Sequence, residues 1–358
     1  MNKKVTQKDI AEKLDISRTT VSRALNNRGR INKETRKKVL EMAKKLNYQT
    51  DKVARALARK KTFKIKIFLI EEQKFFWDKI EYGVKMARTE LIDYGLDVDI
   101  YKTSINNFQK QVDMLYDLDE NQVDGVIITP LNLKQLRKVI ASKYKANDIP
   151  VVTLNMDIEN SEKLFYVGPD YKRSGRLAAE LIVKMIDYRG KVGFLTSDYN
   201  TESVIKREIG FDNKLKSYPE IKYITKKVHK LSEMYEVIRK LKKEHPDIKG
   251  LVSNIPINKY FCRAIQEIKE EKSFKVVVFD FSKQTKECLK NEIVQASVIQ
   301  RPFYQGYYAT KLLFNYLTNK NINKLEDYYV QLDIGLKENI DTVEDINLLK
   351  QNITGQFM

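Results

Sequence analysis

Hydrophobic and polar positions fall into two regimes along the 358-residue chain. Up to about residue 61 the apolar residues recur at helical spacing, whereas from Phe63 onward short apolar runs alternate with longer amphipathic stretches. In the first regime Thr6 and Asp9 make a capping-box start for a helix that buries Ile10, Ala11 and Leu14. Ser17 caps a second helix, with Val21, Ala24 and Leu25 inward and Arg18, Thr19, Ser22 and Arg23 on the other side. Asn32 opens a third, in which Val39, Leu40, Ala43 and Leu46 form the buried stripe. Asp51 caps a short basic helix, DKVARALARKK, which ends where the strand pattern begins. Two short helices on a tight turn, the second presenting arginines, describe a helix-turn-helix reader of the DNA major groove. Two ordinary amphipathic helices opening a helical domain are the other reading of that spacing.

In the second regime the pattern predicts strands at 64–70, 123–130, 149–155, 191–197, 249–255, 275–281 and 294–300. Most are short apolar runs, as expected of strands buried on both faces. Between them lie amphipathic helices such as FWDKIEYGVKMARTELIDYG, with Ile80, Val84, Ala87 and Leu91 on one face, and YKRSGRLAAELIVKMI. This alternation gives doubly wound parallel sheets, and the strand count requires two α/β subdomains with a cleft between them.

Charge separates the same two regimes. The net charge is +18, and residues 1–62 hold 19 Lys/Arg against 6 Asp/Glu, so +13 of it sits in the first sixth of the chain. Such a concentration suits phosphate neutralisation on a nucleic acid. The two cysteines, Cys262 and Cys288, imply no disulfide framework and point to a reducing compartment. With no N-terminal apolar segment and no membrane-length apolar run, the expectation is a cytoplasmic protein without a membrane partner.

The segment VTQKDIAEKLDISRTTVSRALN, followed by INKETRKKVLEMAKKLNY and VARALA, resembles the lactose-repressor (LacI/GalR) family without a gap over about 55 residues. The resemblance implies a helix-turn-helix DNA-binding domain over 1–50 and a hinge helix with linker over 51–62. It assigns base reading to Arg18, Thr19 and Arg23 and phosphate contacts to Thr6, Ser17, Asn26, Asn32 and Thr35, while Leu57 would wedge into the minor groove. The family's proline before the hinge helix is missing, since Tyr48-Gln49-Thr50-Asp51 stands there, so capping by Thr50 or Asp51 has to replace its stiffness.

The remainder resembles the periplasmic sugar-binding-protein fold of the ribose-binding type over 63–340. The segments that carry this are QKFFWDKIEYGVKMA, VDGVIITPLN, IPVVTLNMD, YVGPDYKRSGRLAAELI, REIGF, VFDF and SVIQRPFYQGYYA. It implies interleaved subdomains, about 63–167 with 301–330 and about 168–300 with 331–345, leaving a tail over 341–358. Its effector-binding positions are Gln73, Phe75, Phe76, Trp77, Asn155, Asp157, Arg207, Asn254, Asp280 and Gln300. Aromatic faces would cover sugar C–H surfaces, and fixed polar groups would take the hydroxyls. Met156 replaces the family's arginine, and Ile255-Pro256 follows Asn254 where an Asn-Asp pair is common, which counts against ribose itself.

Chemistry beyond binding finds no support in the chain. His229 and His245 sit in charged contexts, no nucleophile elbow or Gly-rich phosphate loop is present, and no spacing suits a metal, so the expectation is no enzyme, no metal and no cofactor. The sequence thus describes a transcriptional regulator, most simply a repressor. It would bind a near-palindromic operator as a homodimer, under allosteric control by a small carbohydrate or related metabolite. Control by a protein co-regulator is one alternative; a sugar-transport receptor is another, against which the basic head argues.

Overall fold

The computed structural model describes residues 5, 7–26, 31–46, 62–198, 201–269, 274–319 and 325–343. Thr6, the hinge segment with Leu57, and the tail beyond 343 lie outside the described residues. The chain divides into two compact units at Lys61/Thr62.

The first unit holds helices α1 (Gln7–Leu14), α2 (Arg18–Asn26) and α3 (Lys33–Lys45). Ile10, Ala11, Val21, Ala24, Val39 and Ala43 close its core, flanked by the half-buried Leu14, Leu25, Met42 and Leu46. Leu40, expected in the buried stripe, is instead exposed. It stands one residue, about 100° of helix, beyond Val39, and Met42 takes the inner position it would have filled.

The second unit is α/β, with strands β1 (Phe63–Ile70), β2 (Leu96–Thr103), β3 (Gly125–Ile128), β4 (Val151–Leu154), β5 (Phe165–Gly168), β6 (Gly190–Ser197), β7 (Ile221–Val228), β8 (Ile248–Ser253), β9 (Lys275–Phe279), β10 (Ala296–Ile299), β11 (Tyr328–Tyr329) and β12 (Asp333–Gly335). They form two sheets, ordered β11-β5-β4-β3-β1-β2 and β12-β10-β9-β8-β6-β7. Every pairing is parallel except β10 with β12. We call the first sheet with its helices the N-lobe and the second the C-lobe. The strand order reverses between β1 and β3 in one lobe and between β6 and β8 in the other. Doubly wound sheets bind ligands beyond the strand carboxyl ends at such a switch point.

All seven expected strands are present. Among those the apolar-run pattern passed over are β2 and β7, which lie at sheet edges. Their alternating sequences, LDVDIYKT and IKYITKKV, bury one face only.

The chain passes between sheets after β5, after β10 and after β11. Helix α4 (Lys74–Leu91) packs in the N-lobe against α12 (Pro302–Thr318), and α7 (Tyr171–Met185) packs in the C-lobe against α8 (Glu202–Leu215). Each pair meets through reciprocal glycines. A Cβ on Gly83 would lie 2.0 Å from the Phe303 carbonyl oxygen, and one on Gly306 2.0 Å from that of Ile80. In the C-lobe Gly175 meets the Arg207 carbonyl and Gly210 that of Lys172 at the same 2.0 Å. Backbones this close fix the register of α8, and with it the direction of the polar side chains it carries.

The cysteines depart from expectation. Cys262 of α10 (Lys259–Lys269) and Cys288 of α11 (Lys283–Lys290) are joined by a disulfide. Both lie in the C-lobe core, and the approach of the two helices, which a 26-residue spacing does not reveal, brings them together. Among the described residues no helix is long and apolar enough to cross a membrane.

Candidate functional site

In the head, Asp15 adopts positive φ and turns the chain out of α1. Ser17 then caps α2, its Oγ accepting the Thr20 N–H at 3.0 Å. Arg18, Thr19 and Arg23 are all exposed on α2, opposite the buried Val21 and Ala24. The Asn32 Oδ1 accepts the Glu34 N–H at 2.9 Å at the start of α3, whose Thr35 is half-buried. Asn26 ends α2. The helix caps thus use residues also expected at phosphates, and the two roles are compatible because a capped helix start still presents backbone N–H groups.

In the second unit four of the expected residues join into one hydrogen-bonded chain. The Arg207 guanidinium reaches both Asp280 oxygens at 3.2–3.4 Å. The Gln300 amide donates to Asp280 Oδ1 at 2.5 Å and accepts from Asn155 Nδ2 at 3.2 Å. Asp280 and Asn155 both sit at positive φ directly after their strands, a turn that carries each side chain away from its sheet. Arg207 is 5% exposed and lies over the Phe279 ring, 4.2 Å from its centroid. The Tyr171 ring centroid lies 5.4 Å from the guanidinium as well, so its charge is matched by one carboxylate and two aromatic faces.

Asn155 is fully engaged where the lobes meet. Its amide also donates to Gln305 Oε1 at 2.9 Å, its Oδ1 accepts the Tyr171 hydroxyl at 3.0 Å, and its carbonyl accepts the Tyr166 hydroxyl at 2.7 Å. Tyr171 opens α7 of the C-lobe and Gln305 lies on α12 of the N-lobe, so this network spans two of the crossings. Burial holds the hydroxyl pKa values of Tyr166 and Tyr171 well above ordinary, keeping both as donors. Tyr171 and Gln305 stand in YVGPDYKRSGRLAAELI and SVIQRPFYQGYYA, and the sequence signal for both is their proximity to the crossings at Gly168 and Gln300.

Asn254 follows β8 and is 2% exposed, its Nδ2 donating to the Val204 carbonyl at 2.9 Å. Its Oδ1 has no hydrogen-bond partner, and neither has Arg207 Nε. One acceptor and one donor are thus left open among the expected effector positions.

The remaining positions are placed differently. Asp157 turns into its own lobe, accepting the Thr153 hydroxyl at 2.7 Å and the Lys163 ammonium at 2.5 Å. Phe76 and Trp77 meet edge to face, 5.2 Å between centroids, inside the N-lobe core. Phe75 keeps 38% of its surface open, and Gln73 before it is exposed. Of the three aromatics, Phe75 is the one with a face to offer. Met156 packs against the N-lobe core and Ile255 lies in that of the C-lobe. The two departures from the ribose-binding pattern thus serve packing.

A helix-turn-helix head followed by two such interleaved lobes defines a class of DNA-binding regulators with a binding-protein-type sensor. Residues 6–51 match the model of bacterial regulatory proteins, lacI family, and residues 67–321 match a periplasmic binding protein domain. Over most of its length the chain belongs to the periplasmic binding protein domain family, and it carries a lacI-family regulatory domain ahead of that part. It is 30% identical over 199 residues to the HTH-type transcriptional regulator pepR1 of Lactobacillus delbrueckii subsp. lactis, covering 55% of this chain and 57% of that one. To the ribose operon repressor of Halalkalibacterium halodurans it is 27% identical over 254 residues, 70% of this chain and 71% of the relative. In fold it is similar to an ABC transporter solute binding protein from Burkholderia graminis solved with D-arabinose. That likeness has a TM-score of 0.67 at 22% identity and covers 78% of this chain and 97% of the other. These relatives are regulators or binding proteins by name, not enzymes.

Proposed function

We infer that this protein is a sequence-specific transcriptional repressor that binds a near-palindromic operator as a homodimer and is controlled by a small neutral carbohydrate. Arg18, Thr19 and Arg23 would read base edges, since an arginine fork matches both acceptors of a guanine. Ser17, Asn32 and Thr35 would fix register on phosphates, joined by Thr6, Asn26 and the wedge Leu57. Two-fold symmetry sets the recognition helices about one DNA turn or a multiple apart.

The observation that carries the effector reading is the pair of buried open atoms, Arg207 Nε and Asn254 Oδ1. Buried polar atoms are normally satisfied, and an open donor and an open acceptor among the expected effector positions suit a hydroxyl-bearing ligand. Charge narrows the class. Arg207 is already matched by Asp280 and Lys163 by Asp157, which favours a neutral ligand over a phosphate or a uronate. Phe75 supplies the apolar face. The relative named for the ribose operon agrees with a carbohydrate, as does the binding protein of similar fold solved with D-arabinose.

The test is thermal unfolding of the whole chain against neutral monosaccharides, disaccharides, sugar phosphates and uronates, beside selection of bound sites from random DNA. At 100 times its dissociation constant a true ligand adds ~2.7 kcal/mol, a rise of a few degrees. A neutral sugar that raises the midpoint and changes affinity for the selected palindrome supports the reading. Enrichment of a palindrome with silence across the sugars would transfer control to a protein co-regulator. No enrichment at all would remove the DNA-binding claim.

A further inference from the structure

Helix α8 also reaches the other lobe at a second place, outside the polar chain that ends on Asn155. In its first turn the Glu202 carboxylate accepts the backbone N–H of Asp157, in the loop after β4 of the N-lobe. One turn later Lys206 bonds to Glu202 and lies 2.7 Å from the Glu159 carboxylate of that same loop. Although all three are chargeable, the side chains of Glu202 and Lys206 are only 12% and 24% exposed. Burial pushes the Glu202 carboxyl pKa up. The Lys206 ammonium holds that of Glu159 down, and its bonds to Glu159 and Glu202 raise its own pKa against the opposing effect of burial. A second contact spans the lobes at α4, where the Lys79 ammonium lies 4.2 Å from the centroid of the Phe281 ring beyond β9.

We propose that Glu159, Glu202 and Lys206 form a clasp that holds the two lobes together before any effector arrives. Each of its inter-lobe bonds joins an N-lobe loop to a C-lobe helix, so it exists only while the lobes are closed. The Asp157 N–H and the Glu159 carboxylate are the partners that make the burial of Glu202 and Lys206 tolerable. Parting the lobes would return all of these groups to water, which opposes the clasp but also sets its strength low enough to open. The domain is therefore closed at rest, and an effector enters during openings and then adds its own bonds to the closed state. A ligand shifts such an equilibrium only by its preference for one state, and the clasp has already set the starting population. The proposal does not depend on which ligand binds or on whether it is a sugar.

The test uses the full-length protein without ligand, spin-labelled at Lys134→Cys in the N-lobe and Ser232→Cys in the C-lobe, both exposed positions. Electron–electron distance measurements should give one narrow distribution in the otherwise unaltered chain. Lys206→Met and, separately, Glu159→Gln should broaden it towards longer distances, while Lys206→Arg should keep it narrow. Glu159 is 66% exposed, so its variant folds even if Lys206→Met does not. A broad distribution in the unaltered chain, or a narrow one in Glu159→Gln with normal unfolding, overturns the clasp and leaves the hinge network alone to align the lobes.

Discussion

Arg207 shows how one buried charge constrains what a substitution can report. Its guanidinium is 5% exposed and Asp280 is the carboxylate that balances it. Removing one partner of such a pair leaves an uncompensated charge, at a cost of ~3–5 kcal/mol. Asp280→Ala should therefore lower stability by about that much in chemical denaturation, before ligand binding is considered. Asp280→Asn keeps the shape and one acceptor and should lose less, which makes it the better probe of the cleft. Packing sets a similar limit at Gly175, where an added Cβ meets the Arg207 backbone at 2.0 Å. Gly175→Ala should cost ~1–3 kcal/mol or more, since α8 must move away from α7, and should disturb the Arg207–Asp280 pair with it. In the head, Ser17→Ala removes the cap of α2 and should cost about 1 kcal/mol in the thermal unfolding of that unit.

At the scale of elements, the α7/α8 pair is also tied by charge across its outer face. Glu180 of α7 bonds to Lys184, one turn along, and to Lys214 of α8 at 3.2 Å. Those two bonds hold its carboxyl below the ordinary 4.5. A depressed carboxyl contributes stability that is complete above its unfolded value and disappears as pH falls through the folded one. The difference in melting temperature between the unaltered protein and Glu180→Gln should thus be constant above pH ~5.5 and shrink as pH falls below 4.5; a difference that grew on acidification would reverse the assignment. Helices of this kind were legible from the sequence because Ile80, Val84 and Ala87, or Val21 and Ala24, repeat at helical spacing and are all buried. Central strands were legible as apolar runs, while the edge strands β2 and β7 were not, because half their residues face water. The candidate site was legible as a set of strand-end positions. Which of these are open was not, because Asp157 and Trp77 differ from Asn254 only in what surrounds them after folding. The contacts of Glu202 and Lys206 with the other lobe join residues about 45 apart in sequence and left no periodic trace.

For the molecule as a whole, the sequence's uneven charge leads to a salt test. The head carries +13 of the net +18, and each phosphate it neutralises contributes about −0.9 to the slope of log affinity against log salt. For a proposed dimer that engages about six phosphates, raising salt from about 50 to about 200 mM should weaken binding to a selected operator by ~10³-fold, read by fluorescence anisotropy. A shallow slope would mean that the basic head does not rest on the backbone. The interleaving of the lobes has another consequence, for the making of the chain. Helix α12, which covers the N-lobe sheet beside α4, follows β10 of the C-lobe, and the Tyr307 hydroxyl bonds to Glu90, 217 residues earlier. On the ribosome the first lobe to be synthesised must therefore wait, one apolar face uncovered, until nearly all of the second has emerged. The C-lobe by then lacks only β12 and the short segment after it that buries Ile340, so the half that is made later is the half nearer to completion.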